Sequence, residues 1–178
     1  MNPIEHLLQE HRDIMAQVAD LRATVRDLEA RGDAALPAAL PVMRLIGRMM
    51  ETQLALHARK EDEALFPAVE AVIGAGGGPT AVMREEHKSI HAQGELLRRT
   101  LHQLNEVEHP AIEAGGEKLR AMAASGGSAE ILHDTAAVII NLLDAHFDKE
   151  EQILFPMTGQ ILDRETLAEV GRRMEAVQ

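Results

Sequence analysis

HARKEDEALFP (His57–Pro67) and HFDKEEQILFP (His146–Pro156) are two near-copies of one segment. Each begins with a histidine followed four residues later by a glutamate. On a helix, residues four apart lie one turn from each other on the same face. A second echo precedes each copy: EHRDIMAQ (Glu10–Gln17) and EHKSIHAQ (Glu86–Gln93). Glu86 follows Glu10 by 76 residues and His146 follows His57 by 89, so the second half holds thirteen extra residues between its two segments. The Gly-bracketed stretch after Glu108 is the natural place for them.

Working outward, almost every segment has helical periodicity. Ile4, Leu7, His11, Ile14, Val18, Leu21, Val25 and Leu28 alternate steps of three and four, predicting a helix from Pro3 to about Arg31 with Gly32 as its stop. A second helix is predicted from near Pro41, with Met43, Ile46, Met50, Leu54, His57, Glu61 and Leu65 on one face. Phe66-Pro67 should interrupt or kink it. After the loop Gly74–Pro79, a third helix is expected from about Thr80 to Asn105, with Met83, His87, Ile90, Gly94, Leu97, Leu101 and Leu104 in its stripe and His91 beside it. A short helical piece should span about Lys118 to Ala124. The fourth helix opens with Ser128 as N-cap and carries Leu132, Thr135, Ile139, Leu142, His146, Glu150 and Ile153 inward. A polar helix from about Asp163 to Val177 ends the chain. The predicted fold is therefore all-α: an antiparallel up-and-down four-helix bundle over about residues 3–157 with an added C-terminal helix, forming one domain over 1–178.

Composition narrows the function classes. The 178 residues are 46% apolar, enough to bury a core. A formal net charge of −11 argues against nucleic acid or an anionic membrane surface as partner. There is no apolar run approaching a membrane span of about 20 residues, and the N-terminus does not read as a signal peptide, so a cytoplasmic location is expected. Zero cysteines remove disulfides, thiolate metal sites and thiol nucleophiles. The aromatic residues are Phe66, Phe147 and Phe155 alone, so no tyrosine or tryptophan can serve as a radical relay.

The inward stripes carry His11, His57, Glu61, His87, His91, His146 and Glu150. One histidine on an apolar face is commonly a hydrogen-bonded core residue. Five histidines and two glutamates in a repeated arrangement on four helices point instead to a dinuclear metal site, because a buried carboxylate without a partner is costly and two cations that it bridges remove the cost. His6, His102, His109 and His133 lack repeat partners and read as surface or structural. Glu10, Glu86, Glu63 and Glu151 lie next to ligands and could accept imidazole N–H groups, although solvated charge is the expected role for most. Lys60 and Lys149 are expected to point elsewhere.

At these residues the chain resembles the hemerythrin-like family, or HHE cation-binding domains, whose His…His-x-x-x-Glu pattern occurs here as His11…His57-Glu61 and His87…His146-Glu150. The resemblance covers about Ile4 to Pro156. It implies a hemerythrin-type bundle and a non-haem di-iron centre, two iron ions with an oxo or hydroxo bridge. His87, His91 and His146 would serve one iron, His11 and His57 the other, and Glu61 and Glu150 would bridge. The sequence departs from the oxygen carriers of the family, where the second bridging group is an aspartate five residues after its histidine. Here Glu150 stands at four and Glu151 at five, and the repeat favours Glu150. It also departs from the iron-centre repair members, which commonly add a cysteine-bearing N-terminal segment.

His91 aligns with Met15, so the two irons would hold three and two imidazoles. That count leaves one octahedral position open at the His11–His57 iron, in a pocket lined by Met15. The expected function is binding of O2 or another small diatomic there, as carrier, store or scavenger, with allowance for an electron donor. The rival reading is an enzyme reducing nitric oxide or peroxide, or an iron or oxygen stress-response protein. A structural zinc site would be expected to close its coordination shell.

Overall fold

The computed structural model describes residues 2–74, 76, 78–113 and 127–177, and the side chains among them except 105–113. Helix α1 spans Pro3–Arg31 and α2 spans Leu36–Met49, joined by a 3-10 turn at Gly32–Ala35. A wide turn with i→i+5 bonding, Met50–Leu54, leads into α3 (Ala55–Lys60). A second wide turn, Glu61–Leu65, leads into α4 (Phe66–Ile73). Then come α5 (Pro79–Glu113), α6 (Ser128–Lys149), a third wide turn at Glu150–Leu154, α7 (Phe155–Ile161) and α8 (Arg164–Ala176). The described residues contain no strand, and none of their helices is long and apolar enough to cross a membrane. The piece expected around Lys118 to Ala124 lies outside the described residues.

Contacts divide the chain into two compact units, and α1, α5 and α6 each contribute to both. The unit made of residues 17–48 and 92–141 has an aliphatic core that includes Leu21, Met43, Ile46, Leu97, Leu132 and Ile139. Its helix starts differ from expectation. Helix α2 begins at Leu36 rather than Pro41, because Pro37 falls in the first turn, where a missing N–H costs nothing. Gly32, at φ 54°, supplies the left-handed residue that ends α1. Ser128 is the first helical residue of α6 rather than its cap; the Ala129 N–H instead donates to Asp33 Oδ1 at 3.1 Å, from the 3-10 turn. A Cβ on Gly127 would come within 3.2 Å of the same oxygen, so the capping carboxylate needs glycine there. Asp33→Ala should therefore cost about 1 kcal/mol in denaturant unfolding, with Asp33→Asn close to neutral.

The other unit, residues 1–16, 49–91 and 142–178, carries both His-x-x-x-Glu segments. Leu7, Leu65, Phe66, Val69, Met83, Leu154, Phe155, Leu162, Val170 and Met174 form its apolar cluster. Each Leu or Phe buried there contributes roughly 1.5–3 kcal/mol. Helix α8 packs against the wide turn Glu61–Leu65. It is capped by Asp163, which accepts from Thr166 N–H at 2.8 Å.

The LFP segments do not end their helices. Proline in an ordinary helix clashes with the carbonyl four residues back. Widening the preceding turn avoids that clash: the Phe66 N–H donates to Glu61 O and the Phe155 N–H to Glu150 O, five residues back. Pro67 has no N–H for the carbonyls of Asp62 and Glu63. Two arginines take them, Arg84 Nη1 donating to Asp62 O at 3.2 Å and Arg173 Nη2 to Glu63 O. Leu154 and Phe155 are buried while Ile153, expected inward, is exposed; its repeat counterpart Ala64 is buried in the matching turn, against which α8 packs.

Candidate metal centre

Glu61 and Glu150 each sit at the α-to-wide-turn junction, one turn after a histidine, and are fully buried. Around them two groups of side chains have ligand atoms close enough to hold a cation: His11, His57, Glu61 and Glu150, and Glu61, His87, His146 and Glu150. Both carboxylates belong to both groups. Glu150 Oε2 lies 3.2 Å from His11 Nε2, and Glu150 Oε1 lies 3.2 Å from His146 Nε2. Glu61 Oε2 lies 3.2 Å from His87 Nε2 and 3.6 Å from His57 Nε2. The Nε2 atoms of His11 and His57 are 3.1 Å apart.

The imidazole–carboxylate contacts among them are not aligned for hydrogen bonding. Among the described residues, seven buried side-chain atoms lack a hydrogen-bond partner, and six of them are here: both oxygens of Glu61, both of Glu150, and Nε2 of His87 and His146. Buried polar atoms are nearly always satisfied. A cluster of unsatisfied lone pairs facing one point fits cations between them.

The outward faces of the rings are fully partnered. His11 Nδ1 meets Glu151 at 2.8 Å, His57 Nδ1 meets Glu10 at 3.0 Å, His87 Nδ1 meets Asp62 at 3.2 Å and His146 Nδ1 meets Glu86 at 3.1 Å. With Nδ1–H donated to a carboxylate, Nε2 presents its lone pair inward. The pattern is reciprocal. The acid before each first histidine (Glu10, Glu86) holds the next histidine, and the acid after each shared glutamate (Asp62, Glu151) holds a histidine of another helix. Asp62 escaped sequence reasoning because it lies off the apolar stripe. Its only signal was alignment with Glu151. Glu63 pairs with Arg59 at 2.9 Å instead.

Lys60 and Lys149, expected to point away, clamp Glu10 and Glu86. Lys60 also meets His6 Nε2 at 3.0 Å, so His6 is tied to this outer ring. With the four rings neutral, as metal ligands must be, the six carboxylates around them face Lys60, Lys149 and Arg84, a negative surplus suited to cations.

Burial raises the Glu61 carboxyl to about 7, with the Glu150 charge adding to the rise. Burial also opposes ionisation of Glu150, but the close approach of the His11 and His57 rings and the charge of His146 hold it well below the ordinary range. Burial disfavours a charged His57 ring, yet Glu61, Glu10 and Glu150 outweigh it and push the pKa up to about 10. His87 rises to about 9 because Asp62 and Glu61 overcome its burial. His146 is lowered, by burial and by the nearby His87 charge.

The structure departs from the sequence expectation at His91. It is exposed and stands outside both groups. Ile90 and Gly94 occupy the buried face of α5 there. Each group therefore has two imidazoles, and the count that set the two halves apart at Met15 disappears. Met15 is half-buried, one turn along α1 from His11.

The hemerythrin HHE cation binding domain model matches residues 2–157. The chain belongs to this hemerythrin family. The all-α fold is of the hemerythrin type. Among curated proteins, the chain is 32% identical over 109 residues to the iron-sulfur cluster repair protein YtfE of Escherichia coli O157:H7. That match covers 61% of this chain and 43% of YtfE, so the chain spans less than half the length of that relative.

Proposed function

We propose that the chain holds a non-haem di-iron centre, with His11 and His57 on one iron, His87 and His146 on the other, and Glu61 and Glu150 shared. The observation that carries this is the membership of both buried, unsatisfied carboxylates in both candidate groups. Imidazole and carboxylate suit iron, and ligands from facing helices are how bundles hold paired metals. Two imidazoles and two shared carboxylates leave each iron short of six ligands, unlike a closed structural site. Bound there, the iron pair supplies redox-active positions for a small ligand.

The protein's own groups orient the rings through Nδ1 and keep the site dry with Phe66, Phe147 and Phe155. The first reading is a protein that binds O2 or a related diatomic. A second reading, a part in iron–sulfur cluster repair under stress, is favoured by the likeness to YtfE.

Protein purified without added metal should contain about two irons per chain by elemental analysis; one zinc and no iron would sink both readings. Reduced protein that takes up O2 and releases it under vacuum supports the first. If it instead oxidises irreversibly, yet restores the cluster of a damaged iron–sulfur protein, the second stands.

A further inference from the structure

The two halves of the centre repeat with one exception that matters for access. The 89-residue offset relating His57 to His146 also relates Phe66 to Phe155. These rings play matching parts, Phe66 stacking on His87 with centroids 5.7 Å apart and Phe155 on His11 at 5.4 Å. The same offset relates Phe147 to Ala58, and here the repeat breaks. Phe147 stacks on His11 at 4.0 Å and 21°, meets His57 edge-on at 5.8 Å and lies 5.7 Å from His146. Alanine has no ring to lay against His87 in return.

Exposure follows the missing ring. His87 is 9% exposed, whereas His11, His57 and His146 are each 1% exposed. Ala58 itself is half-buried, and His91, one turn beyond His87 on α5, is exposed. The matching position on the other half is half-buried Met15. The half covered by Phe147 is therefore apolar at both mismatched positions, whereas the other half has alanine in place of the ring and an exposed histidine, His91, one turn from His87.

From this asymmetry we infer that a small ligand reaches the centre past Ala58 on the His87 side, where the covering ring is missing, while Phe147 covers His11 and His57. The inference rests on the di-iron reading above and adds to it the direction of entry. It also reverses the side that ligand counting from sequence had favoured.

Azide, a small anion that ligates ferric iron, is the probe. In iron-loaded protein, Ala58→Phe should weaken azide binding by roughly 10-fold or more through a steric block, with Ala58→Leu intermediate. The double variant Ala58→Phe/Phe147→Ala should recover binding, because the opening has moved to the other half.

Metal-free protein gives an independent readout that survives failure of the iron reading. In hydroxyl-radical footprinting read by mass spectrometry, which does not need a neutral ring, His87 should be modified faster than His11. Ala58→Phe should protect His87, and Phe147→Ala should expose His11. Azide affinity unchanged in an iron-loaded Ala58→Phe protein would overturn the inference, as would equal modification of His87 and His11 in the parent. Absence of iron with the predicted modification pattern would instead sink the di-iron reading and leave the asymmetry standing.

Discussion

Glu150→Gln should empty the centre of both cations, taking the metal content from about two per chain to near zero, because its carboxylate belongs to both candidate groups. Glu61→Gln should do the same. Elemental analysis after equal iron loading reads this directly, with His102→Ala as the unaffected control. The two variants should then part company once metal is removed. Glu61 is forced upward to about 7 by burial and by Glu150, so its ionised form works against the fold. The rise from the ordinary 4.5 to about 7 amounts to about 3 kcal/mol at pH well above 7. Glutamine removes that charge while keeping the shape, so EDTA-treated Glu61→Gln should melt several degrees higher than the parent at pH 8. Glu150 is held ionised by His11, His57 and His146, and Glu150→Gln takes away their partner. That variant should melt lower. Equal destabilisation of the metal-free protein by both changes would refute the unequal division of charge between the two glutamates.

Such opposed effects come from side chains that were legible in the sequence, and the reason is physical. A glutamate or histidine on an apolar helical stripe violates the pattern that buries the stripe. Glu61 and Glu150 stand out for that reason, and both are fully buried. Repetition then separates a ligand set from isolated core histidines, as the pairing of His11 with His87 and of His57 with His146 illustrates. The helices of the candidate site were legible for the same reason: Met43, Ile46, Met50, Leu54, His57, Glu61 and Leu65 are all buried as their spacing requires.

What could not be read depends on neighbours distant in sequence or on small changes of helical pitch. Asp62 lies off the stripe, and only the approach of α5 reveals that it holds His87. Asp33 caps a helix 96 residues away. Ile153 is exposed whereas its repeat counterpart Ala64 is covered, because a helix distant in sequence, α8, packs on the first wide turn. The wide turns themselves have a clue in proline, since Pro67 and Pro156 each stand second after such a turn. His91, beside the stripe in sequence, is exposed and lies outside both groups of ligand atoms. Lys60 and Lys149 were set aside as charges beside the stripe, whereas their long side chains reach around to Glu10 and Glu86.

Metal binding should invert the pH dependence of stability. In the metal-free protein, His57 at about 10, His87 at about 9 and Glu61 at about 7 all lie above their ordinary values. A group whose folded pKa is raised contributes stability that is complete below its unfolded pKa and is lost as the pH climbs through the folded one. These three contributions are therefore lost in sequence between about pH 4.5 and 10. Glu10, lowered to about 2 by His57 and Lys60 against its burial, acts at the other end. Its contribution is present above 4.5 and lost as the pH falls toward 2, and the lowered Glu86 and Glu150 act in the same direction. His146, also lowered, adds a smaller loss below 6.5. The metal-free protein should thus be most stable at about pH 4.5–6.5 and lose stability steadily toward pH 10. Cations bind the deprotonated ligands and must displace the protons on His57, His87 and Glu61, so affinity rises with pH. Thermal scans with EDTA and with ferrous iron under anaerobic conditions should show a metal-induced rise in Tm that is several-fold larger at pH 8 than at pH 6. A rise independent of pH would mean that the rings and Glu61 carry no protons to displace, contrary to the charges that surround them.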